Sequence, residues 1–81
     1  MTEGNASVTW QDNIMTVSVD GEVVATERVE VQYGVTEVQQ IERAARETLR
    51  RAGWEAGTFD SLATGSRLVR ELAVTVTRGD E

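Results

Sequence analysis

The segment from Thr36 to Ala52 constrains this chain most, because its apolar residues recur at helical spacing over several turns. Val38, Ile41, Ala45, Leu49 and Ala52 form one stripe. Glu37 stands in the first turn and Arg50 and Arg51 in the last, which matches the helix macrodipole. Thr36 with Gln39 reads as a capping box, and Gly53 suits the left-handed residue that ends a helix. Glu42 with Arg46 and Glu47 with Arg51 are i to i+4 pairs in the favourable order, worth about 0.2–0.5 kcal/mol each. A helix with one apolar stripe needs one surface to bury it, and the rest of the chain must supply that surface.

Upstream, Thr, Val and alternating apolar residues predict strands, whose faces are fixed by parity. A two-residue turn at Asp12-Asn13 sets Trp10 opposite Met15 and Val8 opposite Val17. A three-residue loop, Val19-Asp20-Gly21, then sets Val17 opposite Val23 and Met15 opposite Ala25, with Val29, Val31 and Tyr33 on the same face. The preferred layout is a meander of strands at about 7–11, 14–18 and 22–33. After the helix, 54–62 is either a short strand or a loop. The last strand spans about 67–77, although Leu68, Val69 and Leu72 also fit a helical turn after a Ser66 cap.

The expected fold is therefore α+β: a two-layer sandwich of one three- to five-stranded, mostly antiparallel sheet packed on one α-helix, in the order βββαβ. The last strand is expected to run parallel to the strand before the helix through a right-handed crossover. If the first two strands are instead one long strand bulged at Gln11 to Asn13, the order becomes ββα(β)β. That order resembles the β-grasp architecture of ubiquitin-like and bacterial immunoglobulin-binding domains. The resemblance lies in element order alone, and Arg78-Gly79-Asp80-Glu81 stands where ubiquitin-like conjugation uses Gly-Gly. A single domain over residues 1–81 is expected, with 1–6 and 79–81 frayed.

Composition decides which chemistries remain. The 81 residues contain no cysteine, histidine or proline, and all eight basic residues are arginine. Disulfides, Cys/His zinc sites, Ser-His-Asp or Cys-His nucleophiles, Schiff-base lysines and a P-loop lysine are thereby excluded. Carboxylates are plentiful, but no pair has the spacing that a glycosidase or a metal loop requires. No cofactor is expected, and the chain reads as a non-enzyme. No apolar run approaches the ~20 residues of a membrane span. With a polar N-terminus, Met1 to Ser7, this predicts a cytoplasmic protein or a virion component without membrane contact. The arginine-only basic set suits a high-GC prokaryotic or phage reading frame.

The net charge is −6 and is unevenly spread: residues 1–33 carry six acids against Arg28 alone, whereas 34–53 carry three acids against four arginines. Such a balance disfavours direct nucleic-acid binding. Glu27 shares parity with Val23, Ala25, Val29 and Val31, which aims a carboxylate at the helix-covered face. A strand bend or a place at the core rim would account for it; as a buried group it would need a partner, for which Arg70 is the candidate. Trp54 is placed either over the end of the helix or exposed as an interface anchor.

Two functional expectations follow. The first is a protein-interaction or assembly module, including self-association, that acts through a sheet face or strand edge at Ile14, Thr16, Val24, Thr26 and Trp54. The second is a small acidic inhibitor that blocks the basic surface of a nucleic-acid-binding machine, as a phage anti-defence protein does, with Asp12, Glu22 and Glu30 as its acidic surface.

Overall fold

The computed structural model describes residues 2–32, 37–65 and 68–79. Its elements are β1 (Thr2–Gln11), β2 (Ile14–Val19), β3 (Glu22–Arg28), α1 (Glu37–Arg51), β4 (Glu55–Ala56), β5 (Asp60–Leu62) and β6 (Val69–Arg78). The six strands form one antiparallel sheet in the order β3-β2-β1-β6-β4, with β5 also paired to β6. The α+β class stands. The sheet, however, has more strands than the three to five expected, and it curls into a half-barrel instead of lying as a plain layer.

The meander and its first turn follow the sequence closely. Asp12 and Asn13 take φ of 53° and 63°, and the resulting turn pairs Trp10 with Met15 and Val8 with Val17. A long bulged first strand is thereby replaced by β1 and β2, and the β-grasp order goes with it. The second turn differs from expectation. Asp20 and Gly21, at φ 50° and 87°, make a two-residue turn that pairs Val19 with Glu22. A register shift next to it brings Ala25 opposite Val17 and Glu27 opposite Met15. The shift restores odd-numbered residues to the helix side beyond the turn, while Val23, paired with Ser18, is left 62% exposed.

Residues 2–6 are not frayed, because they continue β1 along the whole length of β6. Gly4 lies opposite Val76 and Ala6 opposite Val74, so small residues face valines. A side chain at Gly4 would meet Asp20 Oδ2 at 3.0 Å and Val19 Cγ1 at 3.2 Å, which is why the strand carries glycine there. The last strand also departs from expectation: β6 is antiparallel to β1 and lies beside it, while β3 occupies the far edge. Helix α1 carries the chain from that edge to the opposite one, where β4 and β5 run in the direction of β3. The parallel relation predicted for the last strand belongs to these two short strands, which are not neighbours of β3. Segment 54–62 is thus two strand fragments separated by Gly57, Thr58 and Phe59.

The core joins Val8, Trp10, Met15, Val17, Leu72, Val74 and Val76 of the sheet to Ile41, Ala45 and Leu49 of α1. Val38 and Ala52 pack at its rim. Phe59, unassigned by the sequence pattern, is buried here as well. The helix ends in a Schellman motif: Gly53 N–H donates to Arg50 O at 3.0 Å and Trp54 N–H to Leu49 O at 2.8 Å, with Gly53 at φ 91°. Trp54 is therefore drawn back over the helix end and buried.

Polar ties between helix and sheet replace most of the pairs read from spacing. Glu27 is half-buried on the helix side and accepts hydrogen bonds from Thr48 Oγ1 at 2.9 Å and Arg51 Nη2 at 2.7 Å. Arg70 instead meets Glu37, Nε to Oε1 at 3.2 Å, without hydrogen-bond alignment. The expected Glu27–Arg70 pair is thus replaced by two pairs to α1. The reason is distance: Glu27 and Arg70 end one cross-sheet row, Glu27-Met15-Trp10-Arg70, and three strand spacings of ~4.8 Å separate them. Similarly, Glu47 pairs with Arg50 at 3.0 Å, while Arg46 reaches the Ala56 and Gly57 carbonyls at 2.7 and 3.0 Å. The Thr36 cap, Tyr33, the Ser66 turn, and Asp80 and Glu81 lie outside the described residues.

Two stability measurements check this architecture. Gly53→Ala has room for its methyl, the nearest atom being Arg78 Nε at 3.6 Å, yet it must hold a left-handed φ. It should lower the unfolding free energy by about 1 kcal/mol in urea titration, and an unchanged midpoint would contradict the motif. A double-mutant cycle on Glu27 and Arg51 should show coupling of about 0.5–1 kcal/mol, whereas Glu27 and Arg70 should be additive within about 0.5 kcal/mol; the reverse ordering would contradict the pairing.

Candidate interaction surface

Chain register determines which side chains share the convex face, away from α1. Thr9, Thr16 and Thr26 form one cross-strand row continued by Glu71 and Leu62; Gln11, Ile14 and Arg28 form the next, continued by Val69. Ser7 and Ser18 pair in a third row with Val23 and Ala73 at its flanks. Thr and Ser dominate because a β-branched or small hydroxyl residue favours the extended backbone and still tolerates water. Against that background Ile14 is 39% exposed and Val24 40%. Of the sequence-predicted interaction residues, the fold brings Ile14, Thr16 and Thr26 onto one face, whereas Val24, the unpaired residue at the register shift, lines a cavity with Val19, Glu22 and Arg78 on the helix side. Trp54 is not on that face: it is buried on the helix side, with the Arg78 guanidinium 4.4 Å from its ring centre, and lines the same cavity as Val24.

The two edges of the sheet differ. At one, β4 and β5 supply only fragments, and the Ala56 and Gly57 carbonyls are taken by Arg46, which also stacks 5.2 Å over Phe59. Short strands and a covering cation are devices that stop another strand from adding. At the other, β3 runs from Glu22 to Arg28 and pairs with β2 alone among the described residues. Its register shift and inward-facing Glu27 oppose indiscriminate pairing, but Val23, beside Ser18, and Val24, toward the cavity it lines with Trp54, are both exposed at this edge. Parity alone missed Val23, since the three-residue loop placed it inside. The signal was present in the adjacency of Val23 and Val24, because two neighbouring apolar residues in an alternating strand cannot both face a core.

The acidic residues follow the ends of β3. Glu22 opens the strand beside the second turn. Glu30 lies just past its other end, where Val29 N–H donates to Asn13 O at 2.7 Å and so brings the Asp12-Asn13 turn alongside. Asp12 and Glu30 therefore mark one end of the edge and Glu22 the other, so the three make no single patch. Arg28 offsets Glu30 through a contact of 3.2 Å between two largely exposed side chains, a pair of small energetic weight.

A concavity of about 540 Å3 opens where the last turns of α1 meet β4, lined by Arg46, Arg50, Trp54, Glu55, Ala56 and Thr77 among others. Two of its walls are structural, since Arg46 straps the β4 edge and Trp54 closes the helix. Among the described residues no group of three or more Asp or Glu side chains is placed to hold a metal ion. No described helix is long and apolar enough to cross a membrane. Compared with known proteins, the chain matches no family model, no curated protein and no solved structure.

Proposed function

We propose that this chain is a non-enzymatic protein-interaction module that recognises a partner along the β3 edge and the adjoining convex face. The observation that carries this is the asymmetry of the two edges. One is fragmented and strapped by Arg46; the other is a continuous strand with Val23 and Val24 exposed, and Thr26, Thr16 and Ile14 lie beside it on the convex face. An added strand would gain main-chain hydrogen bonds from β3 and bury those two valines, which is the physics of strand addition. Catalysis has less support, because the carboxylates that parity or charge singles out are either neutralised, as Glu27 is by Arg51, or separated to the two ends of β3.

The double variant Val23→Ser, Val24→Ser tests this. Both side chains are exposed, so stability should change by no more than about 0.5 kcal/mol. Sedimentation and retention from lysate of the native source should show a complex, with a partner or a second copy, for the unaltered chain and its loss in the variant. Equal behaviour of the two proteins would remove the β3 edge from the interface.

A further inference from the structure

We infer that the partner presented to β3 is an extended segment of another protein that carries Lys or Arg at both of its ends around a β-branched centre. This deepens the proposed function and rests on that reading of the edge. Three features of the strand specify the chemistry. Between its ends the edge offers Val23 and Thr26 on the convex side and Val24 on the helix side, which match Val, Ile or Thr on an incoming strand. Its two ends carry net negative charge: Glu22 at the β2–β3 turn, and at the opposite end Asp12 and Glu30, which outnumber the Arg28 paired with Glu30 and are brought together where the backbone bond from Val29 to Asn13 draws the β1–β2 turn to the strand. The charge that would spoil such a match, Glu27 in the centre, is turned to the helix side and held by Thr48 and Arg51.

A second copy of this chain fits the edge less well. Residues 1–33 carry six acids against one arginine, so a copy laid on β3 would bring like charge to like charge. A two-fold pair centred on Thr26 would set Glu22 against Glu30 of the other copy. Centred on Ala25 it would join Glu22 to Arg28, but the register shift places those two residues on opposite faces of the sheet. Opposite charge on the partner resolves both conflicts.

Selection of a random twelve-residue peptide library displayed on phage against the immobilised protein tests the inference, followed by fluorescence anisotropy with the synthetic consensus peptide. Enriched peptides should place Lys or Arg on both sides of a Val, Ile or Thr run. Their binding should disappear in the Val23→Ser, Val24→Ser variant, and Glu22→Gln and Glu30→Gln should each weaken it roughly two- to fivefold, with further weakening as salt is raised. Peptides that need Val23 and Val24 but are uncharged or acidic, and are indifferent to Glu22→Gln and Glu30→Gln, would overturn the charge assignment and leave the edge as the binding site. No enrichment, or binding that ignores Val23 and Val24, would overturn both.

Discussion

Ten consecutive residue pairs between β1 and β6, from Thr2 with Arg78 to Gln11 with Val69, tie the two ends of the described chain together. Everything else in the structure hangs from this ladder. On one side β1 carries the meander out to β3; on the other β6 carries the fragments β4 and β5. Because the partners are almost the full chain apart in sequence, closing this ladder requires much of the intervening chain to be ordered, so it belongs to the late, cooperative part of folding. With no disulfide available, the ladder and the core beneath it must resist unfolding without a covalent staple.

The helix converts this sheet into a half-barrel by crossing from one edge to the other. Its apolar stripe supplies Ile41, Ala45 and Leu49 to the concave side, and its polar residues fasten opposite ends of one cross-sheet row. At one end Thr48 and Arg51 hold Glu27; at the other Glu37 meets Arg70. Glu27 and Glu37 are thus each offset by an arginine at the place where a neutral core would otherwise strand the carboxylate. Arg46 and Arg78 do related work at the C-terminal end of the helix, where each combines a carbonyl acceptor with an aromatic ring: Ala56 and Gly57 with Phe59, and Ala52 with Trp54.

Local rules made part of this legible. The helix stripe, its glycine stop and the Asp12-Asn13 turn are set by neighbours in sequence, and they fell where periodicity and turn chemistry put them. Glu27 was also aimed correctly by parity, but its partners lie 21 and 24 residues away on a helix whose orientation no local pattern encodes. The same limit hid the N-terminal half of β1. Thr2 to Ala6 contain Glu3, Gly4 and Asn5 and show no apolar alternation, because the valines that complete their pleat belong to β6. Val23 was misplaced by a turn one residue shorter than expected, which a register shift then corrected. Of the candidate surface, Ile14, Thr16 and Thr26 could be read from parity, whereas the side taken by Val24 depends on the register shift and the acids' arrangement at the ends of β3 on a backbone bond between Val29 and Asn13.

The β3 surface depends on the closure of β6 against β1, since that pairing leaves β3 as the exposed long edge. Amide hydrogen exchange followed residue by residue by NMR measures it directly. Gly4, Ala6, Val74 and Val76, whose pairs flank the outward-facing Asn5–Thr75 pair, should exchange only through global unfolding, as slowly as the helix core at Ile41 to Leu49. Exchange of those four amides at near-unfolded rates while the helix stays protected would contradict the fold on which the β3 surface depends.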